Sequence, residues 1–306
     1  MEFSLGSWPK SPSPFFSNLE DMELLFASAE QTEIGAGFFK NFTSLKLERL
    51  LLFTYKSLNL NVAADLQENF PSLSHLYIDG CFMEKEELSE HTPKFEKLEL
   101  LDIPANGILL DKQLAHYFGK PSDLPHLKNL ALTKLPTVVG QPSFIFDNAW
   151  PNLTILNAQV DSLLSMEQII NLKSITSLHL TFTTEESTGI IFNLLTNLVH
   201  LKSICFSGKL CDAAFDFQPP NNGITSVELN SRADFGPFLI GWMVSLSSLE
   251  DLKLPRIRVQ LPPGFILPFG IHFPKLSSAR VFKENLEFNS WVIHSSPKLR
   301  NLKFSS

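Results

Sequence analysis

Histidines, cysteines and carboxylates are the side chains that could run catalysis or hold a metal in this 306-residue chain, and their spacing suits neither. The eight histidines are scattered, and Cys205 and Cys211 have no histidine at metal-ligand distance in sequence. Gly35-Ala36-Gly37 lacks the rest of a dinucleotide fingerprint, and no metalloprotease helix, phosphate loop or serine elbow is present. No catalytic residue, cofactor or metal ligand is therefore expected, and the chain does not read as an enzyme. What remains is the chemistry of recognition. His75, Tyr77, Asp102, Asn129, Asn157, His179, Glu228, Asp251, Lys253 and Arg280 each stand between two apolar residues of a recurring block. They are expected to touch a protein partner, with His75, Tyr77 and Asp102 at the centre, because an aromatic beside charges suits a protein interface.

The elements that must position them come from that block: Leu, two residues, apolar, one residue, apolar. Leu73 to Ile78, Leu98 to Ile103 and Leu127 to Leu132 are examples. The leading residue falls at 19, 47, 73, 98, 127, 153, 175, 201, 224, 249, 276 and 299, a mean interval of about 25. It is Leu in ten of twelve cases, the others being Ile175 and Ile224. Proline stands two residues earlier at 71, 125, 151, 274 and 297, where chance would place fewer than one. A fixed period of this length marks a leucine-rich solenoid. Proline there ends the preceding segment and releases the chain into a strand. The expected fold is α/β: a right-handed horseshoe of about twelve irregular repeats, with a parallel sheet on the concave face and helices and loops on the convex face. Leucines point inward and the residues between them outward. A capping box at Ser165 to Gln168 predicts a helix start, and Glu84–His91, Asp111–Phe118, Thr188–Leu198 and Asp234–Leu246 have helix-compatible composition.

Composition narrows the class further. Residues 1–15 read as a Pro/Ser-rich lead-in and 16–306 as one repeat domain, since a solenoid core grows lengthwise without a domain break. The start has no basic and apolar leader. The uncharged run Phe235 to Leu249 is too short and too interrupted by Gly and Pro to span a bilayer, so it is expected as a buried convex helix. Three cysteines, with none clustered at an end, point to a cytoplasmic or nuclear location. The sequons at Asn41 and Asn152 read as accidental, Leu153 being a core position. The net charge of −7 is uneven: from Leu249 onward nine basic residues face four acidic ones, while the remainder carries 16 basic and 28 acidic. An acidic arc with a basic tip would orient a dipolar partner. It gives no stripe for nucleic acid, and no membrane partner is expected.

The blocks Phe70–Ile78, Leu124–Leu132, Trp150–Ala158 and Phe273–Val281 resemble the leucine-rich repeats of F-box proteins, and more broadly of the ribonuclease-inhibitor-like superfamily, over about residues 16–304. That resemblance implies a substrate-recognition arm of a ubiquitin-ligase adaptor that holds a target protein on its concave face. SCF-type ligase components would join it if an F-box lies outside this sequence, since none is visible within it. A stand-alone inhibitor or decoy of ribonuclease-inhibitor type and the sensor arm of an immune-type repeat protein are the alternative readings. The Asn or Cys that follows the strand in such repeats occurs only at Cys81 and Asn106. Thr183, Lys209, Arg232 and Glu284 stand there elsewhere, so irregular turns are expected. The chain stops within the strand Leu299 to Phe304 without a polar cap, which leads us to expect neighbouring sequence or a shielding partner.

Overall fold

Among the described residues nine of the twelve repeats enter their strand through a hydrogen-bonded turn that their own residues specify. In the computed structural model, the amide of the leading residue donates to the carbonyl three residues back: Leu73 to Phe70 and Leu127 to Leu124 at 3.1 Å, Leu153 to Trp150 and Leu276 to Phe273 at 3.3 Å. Pro71, Pro125, Pro151 and Pro274 take the second place of these β-turns, where their fixed φ fits and no amide is required. Units without proline close the same turn, as Leu98 to Phe95 and Leu201 to Leu198 do. The strand begins two residues after every leading position.

The structure describes residues 18–26, 33–34, 39–40, 44–58, 62–82, 94–103, 123–132, 150–160, 169–170, 172–185, 191–217 and 223–306. The chain forms two units, Met1–Leu153 and Thr154–Ser306. The first contains β1 (Asp21–Phe26), β2 (Glu33–Ile34), β3 (Arg49–Leu58), α1 (Val62–Asn69), β4 (His75–Phe82), β5 (Leu100–Ile103) and β6 (Asn129–Leu132). Its strands lie parallel in the order β1-β3-β4-β5-β6, with β2 beside β3. The second contains β7 (Ile155–Val160), β8 (Ser177–Phe182), α2 (Ile191–Asn197), β9 (Ser203–Gly208), β10 (Ser226–Asn230), β11 (Asp234–Phe235), α3 (Pro237–Val244), β12 (Asp251–Leu254), β13 (Arg258–Val259), β14 (Ser278–Phe282), α4 (Leu286–His294) and β15 (Asn301–Ser305). Its main sheet runs β7-β8-β9-β10-β12-β14-β15, again parallel, and β11 pairs separately with β13. This is a leucine-rich-repeat solenoid with a parallel sheet.

Burial alternates along the strands, buried at every second residue in β5, β6, β8 and β10. The leading residues from Leu47 to Leu276 are 2 % exposed or less. Buried aromatic rings add to the core in edge-to-face pairs such as Phe39 with Phe70 and Phe182 with Phe206. The expected helix at Thr188–Leu198 is α2. The one at Asp234–Leu246 is α3, opened by Pro237 at its first turn, where a missing amide costs nothing. Asp234 and Phe235 pair as β11 instead of joining that helix. α3 buries Leu239, Ile240, Trp242 and Met243, and no described helix is long and apolar enough to cross a membrane. The lead-in 1–15, Gly35 to Gly37, the sequon at Asn41, the segments 84–91 and 111–118, Asn106 and the capping box at 165–168 lie outside the described residues, as does the side chain of Cys81.

Three polar residues tie successive repeats together where a regular asparagine is absent. Thr183 Oγ1 donates to Val160 O at 3.2 Å. The Asp212 carboxylate accepts the amides of Phe238 (3.3 Å) and Leu239 (2.9 Å), and so caps α3, whose own preceding residue is Gly236. Asn285 is buried: its Nδ2 donates to Ile257 O at 2.7 Å and its Oδ1 accepts Val259 N at 3.1 Å. The ladder asparagine expected at Glu284 is thus met one residue later.

Candidate protein-binding face

Among the described residues alternation leaves one face of each sheet without a covering layer, and register decides which outward side chains become neighbours. In the first unit Arg49 lies beside His75 and His75 beside Leu100, while Leu51, Tyr77, Asp102 and Ala131 form the next row. A depression of about 350 Å³ opens here, lined by Asp21, Arg49, Leu51, His75, Tyr77 and Leu100. Its floor is apolar. Leu51 is 37 % exposed, and the Tyr77 ring lies 5.1 Å from that of Phe53. Its rim is polar: Arg49 forks onto both carboxylate oxygens of Asp21, its Nη2 at 2.8 Å from Oδ2, and His75 Nδ1 lies 2.8 Å from Ser74 Oγ. The Arg49 hydrogen bond holds the Asp21 carboxyl below its usual range. This exposed pair orients charge and adds little to stability.

Asp102 adjoins Tyr77 in a different electrostatic setting. It is half-buried, and burial pushes its carboxyl above the usual range. Burial also raises the Tyr77 hydroxyl, helped by the negative charges of Asp79 and Asp102. A desolvated carboxylate next to a phenol on an open face can accept a donor from outside far more strongly than a fully hydrated one could.

In the second unit the corresponding row reads Asn157, His179, Cys205, Glu228, Lys253, Arg280 and Lys303. Burial lowers the His179 pKa, opposed by Glu228 and aided by Lys253, so the imidazole is neutral near pH 7. Burial, with Glu228 adding to it, pushes the Cys205 thiol up to about 11, which leaves it protonated and a poor nucleophile. Lys253 Nζ lies 3.5 Å from Glu228 and 3.4 Å from Asp251. Burial would lower its pKa, but Asp251 and Glu228 together outweigh that and raise it. Among the described residues no group of three or more His, Cys, Asp or Glu is gathered to hold a metal.

All ten residues singled out from the sequence occupy outward strand positions. His75, Tyr77 and Asp102 come together on β4 and β5, with Asn129 on β6. Asn157 and His179 are cross-strand neighbours, as are Glu228 and Lys253, and Lys253 and Arg280. Asp251 sits one row over, bonded to Lys253. The depression also draws in Asp21, Arg49 and Leu51, which were not among the ten. Their signal was the register itself, since each stands at the same offset from its leading residue as His75 and Tyr77 do.

No family model matches this chain, and no curated protein is similar to it. Among solved structures, an internalin (inlF) from Listeria monocytogenes matches with a TM-score of 0.50 and 15% sequence identity, covering 95% of this chain and 82% of that one. This likeness is one of fold.

Proposed function

We propose that the chain is a non-enzymatic scaffold that holds a protein on the outward faces of its parallel strands. The observation that supports this best is the depression over β1, β3, β4 and β5: exposed Leu51, a partly exposed Tyr77, a charged rim, and beside it a carboxylate at Asp102 kept partly out of water. Apolar floor and polar rim are the anatomy of a protein interface. The finer reading is a substrate-recognition arm resembling those of F-box ligases, supported by the Phe/Trp-Pro-x-Leu blocks at 70, 150 and 273. A reducing compartment suits the free thiol of Cys205.

A photoreactive amino acid at position 77 or 179, compared with 192 and 199 on the helical side, tests the first reading in the source cells. Adducts to one protein from 77 and 179 and not from 192 and 199 are expected. The reverse pattern would overturn the sheet face as the binding surface. Recovery of ligase components with the same adducts is expected for the finer reading, and their absence from the full-length product would overturn it while leaving the scaffold in place.

A further inference from the structure

Two cations at the far end of the second unit stand face to face with no carboxylate paired to either among the described residues. Register places Lys253, Arg280 and Lys303 in one row on β12, β14 and β15, with about 4.8 Å between adjacent strands. Five cations occupy outward strand positions among the described side chains, and three of them stand directly across from a carboxylate: Arg49 from Asp21, Lys253 from Glu228 and, on the small β11–β13 pair, Arg258 from Asp234. Arg280 and Lys303 instead meet each other. Both are exposed, and neither makes an ion pair or a side-chain hydrogen bond among the described residues. Ser278 and Asn301 beside them are uncharged. Like charges directly opposite one another destabilise a sheet, so this arrangement has a cost that an incoming anion would remove.

We infer that Arg280 and Lys303 receive an acidic segment of the protein partner, one carboxylate on the Arg280 fork and a neighbouring one on the Lys303 ammonium. The inference rests on reading this face as the binding surface, and it adds the charge of what binds. Arginine suits a carboxylate because its planar fork offers two parallel donors. The surplus of basic residues from Leu249 onward draws the same kind of partner to this end. Carboxylates of a peptide fit better than a nucleic-acid backbone. Glu228 and Asp251 lie within two strands of Arg280 and would repel a continuous polyanion, and two free cations make no phosphate-neutralising stripe. The segment should be acidic over β14 and β15 and lose its negative charge toward β10.

The test is fluorescence anisotropy of the full chain with a labelled Glu-Ser repeat decapeptide, its Gln-Ser counterpart and a decathymidylate. The acidic peptide should bind at low salt and weaken as salt rises, the Gln peptide should not bind, and Arg280→Glu/Lys303→Glu should lower affinity by about tenfold or more. The milder Arg280→Gln/Lys303→Gln pair gives the same reading if charge reversal disturbs the strands. Equal binding of Glu and Gln peptides, unchanged binding by both variants, or preference for the oligonucleotide would each overturn the inference. If the adducts from positions 77 and 179 persist in that event, only the charge of the partner is wrong. If they are also lost, the face itself is wrong.

Discussion

Asp102 is the outward carboxylate whose setting opposes its charge most. Its folded pKa lies above the usual value because of burial, so ionisation weakens the fold at neutral pH, and folding gains as pH falls through the folded pKa toward the unfolded one. Asp102→Asn should therefore melt at or above the wild-type temperature in calorimetry and lose adducts from position 77. A lower melting temperature would mark the carboxylate as structural. His179 has the opposite linkage: its pKa is lowered by burial, so below about pH 6.5 the unfolded chain binds the extra proton. Wild-type stability relative to His179→Gln should fall as pH drops from about 7 to about 5 in denaturant titrations, and a constant difference would contradict the neutral imidazole. Gly208 has φ +87°, and a Cβ there would sit 2.1 Å from Phe182 O, a carbonyl already fixed by the amide of Lys209 at 2.9 Å. Gly208→Ala should cost more than the roughly 1–3 kcal/mol of backbone strain alone, read as a lowered denaturation midpoint.

At the level of elements, the repeats cohere through side chains that reach into the next unit. Asp212 stands 26 residues before Phe238, whose amide it accepts, and with the Leu239 amide it supplies the cap that Gly236 cannot. Asp212→Ala should destabilise by about 1–2 kcal/mol, with amide exchange quickening first in α3; uniform quickening would show that the cap is not local. Strands were legible in the sequence because a β-turn of fixed length precedes most of them, so Leu or Ile at the leading position sets both start and facing. The ties at Asp212 and Asn285 were not, since a carboxylate or amide that caps a distant turn has no local spacing to betray it. Helix ends were partly legible: Pro237 announces α3, but the pairing of Asp234 and Phe235 with Arg258 and Val259 is a tertiary choice that shortens it. The site was legible as a face and less so as a place, because the depression depends on which outward residues are small or apolar across four strands.

For the whole molecule, a repeated unit separates two tasks that a globular domain mixes. Inward strand positions are mostly Leu, Ile, Val, Phe and Ala, while outward positions range from Asp21 to Lys303 and become more basic toward the last strands in sequence. Long-range fields and local contacts therefore vary without disturbing the core, which fits a surface evolved to hold another protein. The measurement that tests this separation most directly is equilibrium denaturation of four variants of the full chain. Leu127 and Leu153 are 1 % and 0 % exposed, so Leu127→Ala and Leu153→Ala should each cost about 2–5 kcal/mol. Asn129→Ala and Asn157→Ala, on the outward face two and four residues later, should stay within about 0.5 kcal/mol of wild type. Equal losses in the two sets, or larger losses at the asparagines, would contradict the assignment of faces on which the whole account stands.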